Sequence, residues 1–362
     1  MSDLKYWLAL NFVNDIGPVL TRRLLSAFGN PENIFGMTAN ELMKVEGIGE
    51  NKVKGIIGFR EWDRVDREID RAVKNKANLI TMTDKSYPQM LRHLPDAPIV
   101  LYVKGEIKDD DKYAIAMVGS RLPTDYGLSV AEKMSSAIAS YGLTVVSGMA
   151  RGIDAASHLG ALKAGGRTIA VLGSGIDIPY PSENRGLMNA IASSGAVVTE
   201  FPLGTPPDRE NFPRRNRIIS ALSLGVVVTE ATVDSGSLIT ANYALEQGKT
   251  VFAVPGNITS ATSRGTNDLI KKGARLIEEP EEIIDDLRPQ IKGILREAKK
   301  ALPPMADDEK NLCSFLSGEP KHIDLITRES GISTSEALSI LLRLELKGIV
   351  RQANGKKFSL NW

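Results

Sequence analysis

Two glycine-led loops, each carrying an arginine, hold the residue types in this chain best suited to binding an anion. They are Gly119-Ser120-Arg121 and Gly148-Met149-Ala150-Arg151-Gly152-Ile153-Asp154. Each follows a short run of β-branched and small apolar residues, Ala114 to Val118 and Leu143 to Ser147, of the kind that forms strands buried on both faces. Each leads into a helix, whose unpaired first N–H groups favour phosphate or another anion. A guanidinium beside them grips such an anion through two parallel hydrogen bonds. The same glycines would also serve as plain strand-to-helix turns, which glycine makes without strain. Two in succession, each with an arginine, favour the anion site.

Further polar loops follow the later strands. Gly173-Ser174-Gly175-Ile176-Asp177 is followed by Tyr180-Pro181 and Asn184. Glu200, Pro202 and Gly204 precede Phe212-Pro213-Arg214-Arg215-Asn216-Arg217. Glu230-Ala231 precedes Asp234-Ser235-Gly236-Ser237, and Pro255-Gly256-Asn257 precedes Arg264-Gly265-Thr266-Asn267. Loops rich in Gly, Ser, Asn and Arg that converge on one sheet edge describe an extended polyanion groove. A lone arginine is usually a solvated surface residue, but three within Arg214–Arg217 beside Phe212 point to phosphate binding.

Catalytic patterns are missing. Gly248-Lys249-Thr250 ends like a phosphate-binding loop, but Tyr243 stands where the earlier glycine is required and the triplet opens a strand. The chain has no Gly-x-Ser-x-Gly elbow, and its first loop lacks the dinucleotide fingerprint. Asp154 and His158 lie four apart on one helix face. They would form either an acid–base pair or, the favoured reading, a capping aspartate with a histidine packed behind it. No catalytic set, cofactor site or metal site is expected. Cys313 and the three histidines, His93, His158 and His322, have no metal-ligand spacing.

The elements that must position these loops read as strict alternation. Strands are expected at 113–118, 143–147, 168–172, 196–199, 225–229, 250–254 and 275–277, with amphipathic helices between them, as over 127–140. That alternation means right-handed βαβ crossovers and an α/β fold with a doubly wound, Rossmann-like sheet. Ligands of such sheets sit outside the carboxyl ends of the strands. Before it, two connector strands are expected at 79–83 and 99–103, around turn formers such as Tyr87-Pro88 and Pro98.

Residues 1–78 read as a small all-α domain with two apolar-glycine turns, Asp15-Ile16-Gly17-Pro18 and Val45-Glu46-Gly47-Ile48-Gly49. These have the pattern of helix–hairpin–helix units, which hold a DNA phosphate through backbone N–H groups; a purely structural helical hairpin fits equally. The sheet domain spans 79–288, and 289–307, with Lys299-Lys300-Ala301-Leu302-Pro303-Pro304, is a linker. Residues 308–362 read as a winged helix whose hairpin turns at Asn354-Gly355. Its recognition-like helix is barely basic, so duplex DNA and another protein are equally good ligands.

The 362 residues carry a formal charge of +1, so no global basic field marks a nucleic-acid binder and any basic surface is local. A single cysteine excludes an internal disulfide and suits a reducing compartment. With no signal peptide and no membrane-spanning run, a soluble cytoplasmic protein is expected.

With these residues assembled, the chain resembles the DprA/Smf family of bacterial DNA-processing proteins. The likeness runs from Asp84 to Ala274. It rests on Val118-Gly119-Ser120-Arg121, Tyr126-Gly127, Ser147 to Asp154, His158, Gly175-Ile176-Asp177, Tyr180-Pro181, Phe212 to Ile219, Ser235-Gly236-Ser237-Leu238, Val251 to Gly256 and Gly265-Thr266-Asn267. Thr124 departs from the serine the family often has, and keeps the hydroxyl. The resemblance implies an extended Rossmann fold that binds single-stranded DNA without catalysis and dimerises. It also implies loading of the recombinase RecA onto incoming DNA in natural transformation, against competing single-strand-binding protein. The expected DNA-binding residues are Gly119, Ser120, Arg121, Gly148, Arg151, Gly152, Arg214, Arg215, Asn216, Arg217, Ser235, Gly236, Ser237 and Asn267. The rival is a nucleotide enzyme of the phosphoribohydrolase type, which shares this kind of core with molybdenum-cofactor carriers. Its Pro-Gly-Gly-x-Gly-Thr loop is absent here, where Ser235-Gly236-Ser237 stands.

Overall fold

The computed structural model of the chain describes residues 2–291, 305–317, 319–347, 349–353 and 355–360. They fall into two compact units, 1–298 and 299–362.

In the first unit nine strands form one sheet: β1 (Asn78–Thr81), β2 (Val100–Gly105), β3 (Ala114–Val118), β4 (Thr144–Ser147), β5 (Thr168–Val171), β6 (Ala196–Thr199), β7 (Gly225–Val228), β8 (Thr250–Ala253) and β9 (Arg275–Leu276). Their order is β1-β2-β6-β5-β4-β3-β7-β8-β9. Strands β3 to β9 pair in parallel, in register pairs such as Ala116 with Val226 and Ile169 with Ala196. Every residue of β3 to β7 is buried, as helices on both faces of a parallel sheet require. The sheet is therefore mostly parallel and doubly wound. The two connector strands do more than connect: β2 runs antiparallel to β6 and β1 to β2, which adds two strands to that edge. The Tyr87 hydroxyl fixes the loop between them by donating to the Pro98 carbonyl at 2.7 Å.

The winding sets where a ligand sits. From β3 the chain builds β4, β5 and β6 in one direction, then returns to lay β7 against the other side of β3. The loops after β3 and β7 diverge there, and that opens a crevice at the strands' carboxyl ends.

Helices Ser2–Phe12, Pro18–Phe28, Pro31–Gly36, Ala39–Leu42, Glu50–Ile57 and Trp62–Lys74 make up the N-terminal part. Gly17 and Gly49 stand immediately before helices, as the two hairpin turns require. The helices share one hydrophobic cluster with the sheet, in which Trp7, Leu24, Ile56 and Val65 meet Tyr102, Leu172, Ile191 and Val197.

Lys249, the lysine of the Walker-like triplet, has a structural task. Its ammonium donates to the carbonyls of Ser220, Ala221 and Ser223 at 2.7, 2.8 and 2.6 Å. These close the C-terminus of helix Asn211–Ala221, where carbonyls lack intrahelical partners. Lys249→Met is expected to destabilise the unit by about 2 kcal/mol, the worth of charge-assisted hydrogen bonds lost from a half-buried site. Urea unfolding checks this; an unchanged midpoint would make the cap dispensable.

The second unit is a winged helix. Helices Asp307–Cys313, Ile323–Ser330 and Thr334–Leu346 pack on a sheet of β10 (Lys321–His322), β11 (Val350–Ala353) and β12 (Lys357–Leu360), ordered β10-β12-β11. Of the expected linker, 289–307, residues 289–291 belong to helix Pro280–Ile291 and 307 opens helix Asp307–Cys313, while 292–304 and the turn residue Asn354 lie outside the described residues. The third helix turns its cations inward: Lys347 and Arg343 reach the buried Glu309 at 2.5 and 3.4 Å, and Arg343 also pairs with Asp308. Its exposed positions include Ser335, Glu336, Leu342 and Leu346.

No helix among the described residues is long and apolar enough to cross a membrane.

Candidate functional site

A cleft of about 910 Å³ opens at the switch point between β3 and β7. Its walls include Gly119, Ser120 and Arg121 after β3, Tyr180 after β5, Arg209, Phe212, Arg215 and Asn216 before and within helix Asn211–Ala221, and Ser235, Gly236 and Ser237 after β7. The structure thus brings together eight of the residues expected from sequence. Gly148, Arg151, Gly152, Arg214, Arg217 and Asn267 do not line it.

The reasons lie in helix geometry and in partners already made. At 100° per residue, consecutive arginines on one helix cannot face one ligand. Arg214 turns to a separate notch of about 310 Å³, where it sits 5.2 Å from the Phe201 ring and whose other walls include Gly17 and Pro18 of the first hairpin. Arg217 is buried, with Nη2 donating to Glu200 at 2.6 Å and Nε 3.0 Å from Asp96. The expectation that three arginines of this helix reach the groove is therefore corrected to one.

That one, Arg215, is itself only 3% exposed. Its Nη1 donates to the Gly148 carbonyl at 2.6 Å and also to that of Val171, and Nε donates to Asn216 Oδ1 at 3.1 Å. A Cβ at Gly148 would stand 2.6 Å from this guanidinium, so glycine is required there to admit the arginine. Burial pushes the Arg215 pKa down to about 10, and the nearby Asp154 carboxylate opposes that shift. Burial in turn raises the Asp154 pKa, against the pull of Arg215. Arg215 therefore ties the ends of β4 and β5 together beneath the cleft floor.

Two of the helix N-termini expected to hold phosphate already hold carboxylates of the protein. At helix Asp125–Ser140, Glu230 accepts from the Thr124 N–H at 2.9 Å and from its hydroxyl at 3.1 Å. A Cβ at Gly127 would lie 2.0 Å from Glu230 Oε2, so this glycine makes room for the plug. At helix Ile153–Lys163, Asp154 accepts from the Ala150 N–H at 3.3 Å. Gly152 caps that helix and packs beneath the first loop, where Ile153 N–H donates to the Ser120 carbonyl at 3.1 Å. Arg151 points outward to Glu183. Asn267 closes on the Gly256 backbone, accepting at 3.1 Å and donating at 3.0 Å. Helix Ser237–Glu246 differs in holding no carboxylate in its first turn: its first N–H groups go to Ser235 Oγ at 3.3 Å and to the Ser235 and Gly236 carbonyls at 3.0 and 3.2 Å. Its start lines the cleft.

Aromatic groups that composition alone did not single out complete the site. The Phe212 and Tyr180 rings lie 5.6 Å apart at 39°, and Arg121 sits 4.9 Å above Phe212. No cation lining the cleft pairs with a carboxylate among the described residues; Arg215 is spent on backbone carbonyls, while Arg121 and Arg209 stay exposed. Cations beside a ring platform and a helix start free of carboxylates suit a ligand with alternating phosphates and flat bases. Arg209 was legible only as a position three before Phe212, and Tyr180 only as half of Tyr180-Pro181.

The acid–base pair is absent. His158 Nδ1 lies 2.6 Å from Thr168 Oγ1, and Asp154 turns to Ala150 and Arg215.

Comparison with known proteins agrees in all parts of the chain. Residues 78–288 match the family DNA recombination-mediator protein A, 296–356 the DprA winged helix domain and 8–59 the SAM-like helix-hairpin-helix tandem. The chain is 34% identical to the protein Smf of Synechocystis, over 99% of this chain and 98% of that protein. It is 36% identical to the DNA processing protein DprA of Streptococcus pneumoniae, over 69% of this chain and 93% of the relative. The crystal structure of the pneumococcal protein superposes with a TM-score of 0.69 at 32% identity, covering 78% of this chain and 97% of that one. The Helicobacter pylori DNA processing protein A, whose structure concerns its single-stranded DNA binding mode, gives 0.53 at 29% identity over 60% and 98%.

Proposed function

This chain belongs to the DNA recombination-mediator protein A family, and from that membership we propose that it binds single-stranded DNA in the cleft between β3 and β7. The observation that carries the reading is the Arg121–Phe212–Tyr180 tier beside the start of helix Ser237–Glu246, which holds no carboxylate. Phosphates lie against Arg121, Arg209 and the Ser235–Ser237 backbone, and bases stack on the two rings. Nothing in that arrangement reads a base edge, so binding is indifferent to sequence. Gly119, Ser120 and Asn216 shape the floor, with Arg215 beneath it.

The protein acts as a passive mediator in the cytoplasm and not as an enzyme. His158 is committed to Thr168, and Lys249 caps a helix. In this reading a homodimer links two clefts, the second contact gains from the effective concentration set by the first, and the pair presents DNA to RecA in place of single-strand-binding protein. Energy for filament growth then comes from RecA. The functional modules follow the boundaries 1–78, 79–288 and 308–362.

The test uses Arg121→Glu in the full chain. Affinity for oligo-dT and oligo-dA alike is expected to fall at least about tenfold, with the salt slope of log K reduced by about 0.7 for the lost phosphate. Stimulation of RecA's ATP hydrolysis on strands coated with single-strand-binding protein falls with it. Unchanged affinity would place the DNA elsewhere. Release of free base from nucleoside monophosphates would favour the nucleotide-enzyme reading.

A further inference from the structure

We infer that Arg71, on the last helix of the N-terminal part, is a positioning residue for the cleft: it clamps the two loops that carry its aromatic wall. Helix Trp62–Lys74 reaches the sheet edge through two side chains. Arg71 Nη1 donates to the Leu203 carbonyl at 3.2 Å, and Nη2 donates to Asp177 Oδ2 at 3.0 Å. The other oxygen of Asp177 accepts from Gly204 N–H at 2.8 Å. One turn earlier on the helix, the buried Glu68 accepts from Leu203 N–H at 2.7 Å. Both backbone groups of Leu203 are thus held by this helix, and Asp177 bridges the loop after β5 to the loop after β6. The two loops also bond directly, Gly175 N–H to Thr205 O at 2.9 Å.

What these loops carry gives the clamp its consequence. Tyr180 lies three residues after Asp177, and Pro207, Arg209 and Phe212 follow Gly204 within eight; all four line the cleft. Tyr180 thus stands on the loop after β5, and Phe212 at the start of the helix that the loop after β6 leads into; Arg71 and Asp177 fix those two loops relative to each other. Arg71 itself lines no part of the cleft. A clamp that holds a ring pair in stacking register lowers the ordering cost of binding. Without it the folded protein binds bases less tightly while Arg121 and the Ser235–Ser237 backbone keep their phosphates. The N-terminal helices, whatever else they touch, thereby act on DNA affinity from outside the cleft.

This inference rests on the cleft being the single-strand site. The experiment measures oligo-dT affinity across a salt series for full-length Arg71→Ala, Asp177→Asn, the double variant and Arg71→Lys, with thermal unfolding to confirm folding and Arg121→Glu alongside. Each single loss is expected to weaken binding roughly three- to tenfold with the same salt slope for both, and the double variant no further than the worse single. Arg71→Lys, which reaches Asp177 but not Leu203 as well, falls between. Wild-type affinity in folded variants overturns the clamp, as do additive losses. A salt slope reduced in Arg71→Ala but not in Asp177→Asn also overturns it, because Arg71 would then touch phosphate itself. If Arg121→Glu also binds normally, the cleft reading fails first; if only Arg121→Glu is impaired, the clamp alone fails. Should Arg71→Ala not fold, Asp177→Asn and Arg71→Lys decide it.

Discussion

Arg215→Met is expected to cost about 3 kcal/mol of stability, the penalty for leaving two buried carbonyls without their charged donor. The guanidinium is 3% exposed, donates to the carbonyls of Gly148 and Val171, and offsets the charge of the buried Asp154. Methionine fills much of the volume but leaves two carbonyls short of a donor and a carboxylate without compensation. Trp7 and Trp62, both in the cluster of the first unit, report its unfolding by fluorescence in urea. Adding Asp154→Asn to the Arg215→Met variant is expected to recover part of the loss, because no uncompensated carboxylate then remains. A loss below about 1 kcal/mol, together with a salt slope of DNA binding lowered by about 0.7, would instead make Arg215 a phosphate ligand.

The same arginine marks where sequence reading ran out. The doubly wound core was legible because β-branched runs, glycine turns and amphipathic intervals recur in order, and β3 to β8 fall within about two residues of expectation. The winged helix was legible from its helix–turn–helix and hairpin pattern. The antiparallel edge of β1 and β2 was not, since pairing partners far apart in sequence leave no periodic trace. At the site, type and spacing found the loops but not the direction of side chains. Arg214, Arg215 and Arg217 look alike in a string, yet helix rotation sends one to a notch, one under the floor and one to Glu200 and Asp96. Glycine was likewise read as freedom to approach a ligand. Gly127 and Gly148 instead admit Glu230 and Arg215, so the anion-holding capacity of the first helix N-terminus is used within the protein. What the string could not show was which cations of the cleft stay exposed and which is buried on backbone carbonyls: Arg121 and Arg209 are the former, Arg215 the latter.

His158 supplies the second large effect, and its sign follows from one hydroxyl. Thr168 Oγ1 donates its single proton to the Val145 carbonyl at 2.8 Å, so it can only accept from His158 Nδ1, 2.6 Å away. The imidazole is therefore the Nδ1–H tautomer, and its bare Nε2 is buried without a partner. Burial, with the Arg215 charge adding to it, pushes the His158 pKa down to about 3. In the unfolded chain it titrates near about 6.5. Above that pH neither state binds the proton and His158 contributes no slope. Below it the unfolded state takes up a proton the folded state refuses, so stability falls by about 1.4 kcal/mol per pH unit down to the folded pKa. By pH 4.5 the loss is roughly 2.7 kcal/mol. Asp154, its pKa raised by burial, works in the opposite direction, and it does so in wild type and variant alike. Urea unfolding of wild type and His158→Leu between pH 7.5 and 4.5 isolates the histidine: the variant keeps the Thr168–Val145 bond and places no ionisable group in the pocket. Its acid limb is expected to be flatter by that amount. A stability difference constant across the range would mean that the folded protein protonates His158, which requires a partner for Nε2 and would reopen the acid–base pairing with Asp154.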